Sequence, residues 1–310
     1  MPSFLIYTHQ EPQILARVCS RLGPYPVFVH VDLKADLSEF VDAIDPVDLH
    51  RVHFIADRGY VNWAGWSQMV AIRKLVSAAL LTTELDDYIV ILSGQDYPIK
   101  PVQELVQALN CFPRVQYLRA FIVDESDQHF RDQVDRRHYR DLPVLVKRRL
   151  TTNERKFRNA LIRGMSSLDF IRRRRTAPKA ITVAHGGTHF LLTARCITEL
   201  ESMVTPEIEK YFKRTFCPEE HFYQSLLVSS TFAKDMFGGG PSEYLGPVQA
   251  YYANLHLIDE TTQKIFTHDD FSEVQHSAKF FVRKVAAGRS AKFLDRVDAE
   301  LLKVKPKLAD

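Results

Sequence analysis

Along the first part of the chain, short apolar runs alternate with stretches in which apolar residues recur at helical spacing. Phe4 to Thr8 reads as a buried strand, Gln13 to Leu22 as a helix closed by Gly23-Pro24, and Val27 to Val31 as a second strand. A charged loop, Asp32-Leu33-Lys34-Ala35-Asp36, follows. A third apolar run covers Val52 to Ile55, and Ser67 is placed to cap a helix in which Val70, Leu75, Ala78 and Ala79 keep one face apolar. Tyr88 to Leu92 is the strongest strand pattern, and Pro101 suits the first turn of the next helix. Strands and helices in alternation predict an α/β fold with a mixed, mostly parallel central sheet flanked by helices.

Sheets of this kind bind ligands at the carboxyl ends of their strands. The informative segments are therefore Thr8-His9, Asp32 to Asp36, the turn around Trp63, and Ser93-Gly94-Gln95-Asp96-Tyr97-Pro98. Between about 131 and 180 the chain turns basic and irregular, with Lys147-Arg148-Arg149 and Arg172-Arg173-Arg174-Arg175, and is expected to form an insertion or flap. Ordered patterning returns at Ile181 to Val183 and Phe190 to Thr193, continues in a helix after Pro218, and ends in a helix from Ala291 to Val304. The expected organisation is one domain over 1–285 followed by a C-terminal helical segment over 286–310.

Composition narrows the function classes. The chain has 310 residues, 45% hydrophobic and 25% charged, as in a globular protein with a sizeable core. Net charge is +3, so no basic coat for nucleic acid exists and any basic role must be local. Cys19, Cys111, Cys196 and Cys217 are far apart with no C-x-x-C pair, which argues against a zinc ribbon or a disulfide framework and for reduced thiols. The start, Met1-Pro2-Ser3-Phe4-Leu5, has no signal-peptide pattern, and no apolar run approaches the ~20 residues that span a bilayer. The expected location is the cytoplasm, with peripheral contact at the inner face of an anionic membrane.

Several residues carry chemistry only in combination. Glu219 and Glu220 follow Pro218 at a helix start, where carboxylates most often serve as plain capping. Arg283-Lys284 ends the apolar run Phe280-Phe281-Val282; such a pair is usually a solvated face, yet a guanidinium fork beside an ammonium also suits a diphosphate. Trp63, near Gly65 and Trp66, is either packing or a stacking wall for a sugar or base. Asp96 reads as a turn carboxylate or as a hydroxyl acceptor in a cleft.

The order of motifs resembles the core-2/I-branching glycosyltransferases, a family that includes β-1,6-N-acetylglucosaminyltransferases and peptide O-xylosyltransferases. The likeness rests on Phe28-Val29-His30-Val31-Asp32-Leu33-Lys34, Val61-Asn62-Trp63-Ala64-Gly65-Trp66-Ser67, Ile91-Leu92-Ser93-Gly94-Gln95-Asp96-Tyr97-Pro98-Ile99, Pro218-Glu219-Glu220 and Phe280-Phe281-Val282-Arg283-Lys284. It implies a GT-A (nucleotide-diphospho-sugar transferase) fold and an inverting, metal-independent transfer of N-acetylglucosamine or xylose from a UDP-sugar to a hydroxyl of a glycan or protein. Glu220 then matches the catalytic base, Arg283 and Lys284 the pair that meets the diphosphate, and Asp32 a carboxylate on the uridine portion. Asp96, Trp63 and His189 match the sugar or acceptor pocket. No cofactor is implied, although Asp124-Glu125-Ser126-Asp127 is an acidic turn able to hold a cation or cap a helix. Two positions depart from the family pattern: Glu219 stands where Asp is usual, and His189 where Trp is expected. A soluble bacterial-type member fits best.

Two other classes remain open on the residues alone. One is a module that binds an anionic surface or nucleic acid through the Arg-rich 131–179 stretch, although no RNA-binding aromatic signature accompanies it. The other is a glycoside hydrolase with Glu220 and Asp96 as its two carboxylates.

Overall fold

The computed structural model describes residues 1–141, 150–170 and 174–304. The runs around Val27 and Tyr88 are mostly apolar, with only the buried His30 breaking the first, and are rich in β-branched residues, the composition of strands covered on both faces. They form the middle of a five-stranded sheet of order β3-β2-β1-β4-β8. Its members are β1 (Ser3–Thr8), β2 (Val27–Val31), β3 (Val52–Phe54), β4 (Tyr88–Ser93) and β8 (Leu191–Thr193). β1 pairs in parallel with β2 and with β4, in the registers Ile6↔Val29 and Leu5↔Ile91, whereas β8 closes the edge antiparallel.

Side chains alternate between two cores. Leu5, Phe28, Ile89 and Ile91 face one cluster, while Phe4, Ile6, Val27, Val29, Val90 and Leu92 face the other. Helix α1 (Pro12–Arg21) takes Pro12 at its first turn, where a missing N–H costs nothing, and buries Ile14, Leu15, Val18 and Cys19 against the second cluster. Gly23, at φ 63°, turns the chain out of the helix. After α2 (Leu37–Ala43), α3 (Trp66–Leu80) covers the opposite face. Ser67 does not cap α3. Gly65 holds the cap position, and the Ser67 hydroxyl instead donates to Asp141 Oδ1 at 2.6 Å, while the Ser67 N–H meets Asp141 Oδ2 at 2.7 Å. A carboxylate from the far side of the sequence thus serves the free N–H groups at the start of α3.

Past β5 (Asp96–Pro98) and α4 (Val102–Cys111), β6 (Ala120–Ile122) pairs with β7 (Ala184–Gly186). Asp124 and Glu125 lie in a 3-10 turn, and Asp127 caps α5 (Gln128–Asp135) by accepting from the N–H groups of His129 and Phe130. Within the acidic turn, Asp127 is thus a helix cap. The basic stretch contains α6 (Thr152–Phe170); Lys147-Arg148-Arg149, Arg172 and Arg173 lie outside the described residues. Of the two remaining arginines, Arg174 pairs with Asp135 at 3.2 Å and Arg175 lies over the Tyr211 ring at 4.2 Å.

Helices α7 (Ala194–Ser202), α8 (Pro206–Phe212) and α9 (Phe222–Val228) follow, then β9 (His256–Ile258), α10 (Phe271–Gln275), β10 (Phe281–Arg283) and α11 (Ala287–Arg296). β10 lies between β5 and β9 in a second sheet. The C-terminal segment is built into the main core: Phe293, Leu294 and Val297 join the same cluster as Phe4 and Val29. Buried Asp298 accepts from Tyr97 Oη at 2.6 Å and pairs with Arg17 at 2.9 Å and Arg21 at 2.5 Å. All four cysteines are free thiols. No helix among the described residues is long and apolar enough to cross a membrane.

Candidate active site

Strand order places β2 on one side of β1 and β4 on the other, so the chain leaves the sheet in opposite directions at the carboxyl ends of β1 and β4. This is the switch point at which open α/β sheets leave a crevice. A cleft of about 690 Å³ opens there, lined by Thr8 to Gln10 and by Ser93 to Gln95. The two loops are pressed together: the Gly94 N–H bonds the Tyr7 carbonyl at 3.0 Å, and a Cβ on Gly94 would fall 2.1 Å from Thr8 Oγ1. Only glycine fits at that approach.

One wall is cationic. β10 runs antiparallel to β5 with Arg283 opposite Asp96, and Arg283 Nη1 lies 2.8 Å from Asp96 Oδ1 and also bonds the Ser93 hydroxyl. Burial alone would raise the Asp96 pKa, but the Arg283 charge, with His189 and His256 beside it, holds the group well below the usual carboxylate range. Arg283 in turn stays charged despite its own burial, because Asp96 is its partner. The next residue, Lys284, also lines the cleft; burial, and then the neighbouring guanidinium, lower its pKa.

The facing wall is acidic. Cys217, in the left-handed region at φ 44°, turns the chain into a single 3-10 turn, Pro218–Glu220, before α9 begins. The expected continuous helix is broken at His221, a fully buried ring with Nδ1 3.1 Å from the Ala184 carbonyl and Nε2 3.0 Å from Gln133 Oε1 and 3.3 Å from His185 Nδ1. The carboxylates thus sit on a short, side-chain-anchored turn. Gln249 Nε2 donates to Glu220 Oε1 at 2.6 Å. Burial pushes Glu220 up, opposed by that hydrogen bond and by the Arg283 charge; burial and the charge of Glu220 push Glu219 up. Glu219 Oε2 has no hydrogen-bond partner. A carboxylate held above its ordinary pKa is a better proton acceptor near neutrality than an exposed one.

Asp32, Trp63, His189, Glu220, Arg283 and Lys284 all line this one cleft. Asp32 is buried at 4% exposure, accepts from the Lys34 N–H at 2.9 Å and lies 3.2 Å from Lys34 Nζ. Trp63 stands at the mouth, 69% exposed, with its edge on Phe216 and Arg140 over its face. Asp96 does not line the cleft and cannot receive a hydroxyl there. It lies behind the wall, 1% exposed, with both oxygens engaged by Arg283 and Ser93. The same placement removes it as the partner acid of Glu220 in a two-carboxylate hydrolase. Sequence reading passed over Gln249 and His256, both at the cleft. A lone histidine inside the apolar run Leu255-His256-Leu257-Ile258 was the available signal for the second; nothing local marks the first.

The fold is a mixed α/β architecture with a mostly parallel central sheet open at its switch point, and it is GT-A-like. The chain belongs to the Core-2/I-Branching enzyme family, whose model matches residues 4–238. That membership implies a nucleotide-sugar donor and a glycan acceptor. No curated protein matches the chain. Among solved structures, mannose-6-phosphate isomerase from Helicobacter pylori is similar at 12% identity over 67% of this chain and 77% of that one, with a TM-score of 0.30, a likeness too slight to bear on fold or activity.

Proposed function

We propose that the protein is an inverting, metal-independent glycosyltransferase that moves N-acetylglucosamine or xylose from a UDP-sugar to a hydroxyl of a glycan or protein acceptor. The observation that carries this reading is the convergence of Glu220, Arg283 and Lys284 on one cleft, although more than 60 residues separate the first from the other two (283 − 220 = 63). Glu220 takes the proton from the acceptor hydroxyl as that oxygen attacks the anomeric carbon. One base is enough for inversion. The bond from the anomeric carbon to the β-phosphate oxygen breaks, and its electron pair leaves with UDP. Arg283 and Lys284 meet the charge that gathers on that phosphate. Asp96 keeps Arg283 charged and aimed; it is a positioning residue. Asp32 receives the uridine portion, and Trp63 with His189 borders the sugar and acceptor. The protein works in the cytoplasm, with peripheral contact at an anionic membrane face and no nucleic-acid partner.

Glu220→Gln is expected to lower turnover by about 10²–10⁴-fold while UDP still binds in calorimetry, since general-base assistance is worth that much. Arg283→Ala and Lys284→Ala are expected to lower kcat more than they raise KM. Added Mg²⁺ or Mn²⁺ leaves the rate within about twofold, as expected when side-chain cations already supply the charge. Retained turnover in Glu220→Gln, or an EDTA-dead enzyme revived by Mn²⁺, would overturn the assignment.

A further inference from the structure

Behind the cationic wall, three side chains from separate elements meet: Asp96 on β5, His256 on β9, and His189 just before β8. One donor atom from each lies within 4.8 Å of the others, and all three residues are buried. His189 Nε2 stands 3.3 Å, and His256 Nε2 3.4 Å, from the same oxygen, Asp96 Oδ2. Neither ring nitrogen has a hydrogen-bond partner, although His189 is 8% and His256 2% exposed. Two buried imidazole nitrogens that lie beside one carboxylate oxygen without a hydrogen bond are uncommon in a protein interior.

The spacing has a further meaning. Four ligands around zinc at about 2.0–2.1 Å stand about 3.3 Å from one another along each tetrahedral edge. Both histidine-to-aspartate separations fall at that length, and all three donor atoms lie within 4.8 Å of one another. We propose that Asp96, His189 and His256 form a binding site for a borderline divalent ion of the Zn²⁺ class, held by two imidazole nitrogens and one carboxylate oxygen, with its fourth position open to the cleft that both histidines line. Asp96 divides its two oxygens: Oδ1 serves Arg283 and the Ser93 hydroxyl, and Oδ2 serves the ion while it accepts the Ser93 N–H at 2.6 Å. The donor set is nitrogen-rich, so it does not suit the Mg²⁺ or Mn²⁺ that sugar diphosphates recruit through oxygen alone. The site is therefore independent of the metal-free chemistry proposed for Arg283 and Lys284. Its effect is to tie β5, β9 and the approach to β8 together beneath that pair.

Protein stripped with EDTA and dialysed is titrated with Zn²⁺ by calorimetry and with Co²⁺ by absorption. The expected result is one equivalent bound, intense visible bands of tetrahedral Co²⁺, and a Zn²⁺-dependent rise in Tm. His256→Gln and His189→Gln each weaken binding by about 100-fold and abolish the Tm rise, because each removes one of the protein ligands. His9→Gln, at the same cleft but outside the cluster, leaves both unchanged. Circular dichroism of each variant establishes that it is folded. No Co²⁺ bands in the wild type, or Zn²⁺ binding that survives both glutamine substitutions, would overturn the proposal. These readouts stand apart from turnover, so failure here leaves the transferase reading intact.

Discussion

Glu219 and Glu220 share one short turn, and each pays for its position. Both are raised by burial, so their folded-state pKa values lie above the unfolded ones. The sign follows from linkage: their contribution to stability is fully present below the unfolded pKa and is lost as pH rises through the folded one. Glu219→Gln removes that penalty. It is expected to stabilise the protein by on the order of 1 kcal/mol at about pH 9 and to do nothing at about pH 5, a contrast that paired thermal melts measure. For the reaction the direction is opposite, since a base must be ionised. The acid limb of kcat/KM is expected to lie above the ordinary carboxylate range, and activity to increase with pH through it. A limb near the pKa of a free glutamate would show that Glu220 is not the titrating base.

At the level of elements, the cleft depends on how closely the β1 and β4 loops approach. Gly94→Ala puts a methyl group into the Thr8 side chain, and overpacking of this kind costs about 1–3 kcal/mol, to be read as a fall in Tm together with loss of nucleotide affinity. Strand-level features were legible in the chain: Val27 to Val31 emerges with the bounds its β-branched and aromatic pattern predicts, and burial on both faces leaves His30 as its one polar position. Turns were less so. Pro218-Glu219-Glu220 reads as a helix start, yet the chain makes a 3-10 turn and the helix begins only after the buried His221, and no local propensity encodes the Gln133 and Ala184 groups that surround that ring. Asp96 shows the same limit. Its type and its place after a strand marked it as important, but whether it would face the cleft or the guanidinium behind it depended on the register of β10, nearly 190 residues away (283 − 96 = 187).

Across the whole molecule, the π-helical turn Val297–Leu301 that continues α11 is fastened to α1. Asp298 receives Arg17, Arg21 and the Tyr97 hydroxyl, and although burial would raise its pKa, these partners lower it. A lowered folded pKa gives stability that is present above the unfolded value and lost as pH falls through the folded one. Asp298→Asn is expected to cost about 2 kcal/mol at neutral pH, because it leaves partly buried arginines uncompensated, and progressively less in acid. Urea unfolding followed by tyrosine fluorescence and by circular dichroism should give coincident transitions, since α11 shares a core with β1 and β2. Separate transitions would mean that the C-terminal segment folds on its own.

The family match ends at residue 238, yet β10 delivers Arg283 into the middle of the second sheet more than forty residues later (283 − 238 = 45). A ribosome making this protein therefore adds the cationic wall of the cleft well after the acidic one. Until the final stretch emerges, Asp96 has no guanidinium to face and the nascent chain holds only the acidic side of the pocket. A chain that stopped short of β10 would keep Glu220 and lose both cations, together with the Phe293, Leu294 and Val297 side chains that pack against β1 and β2.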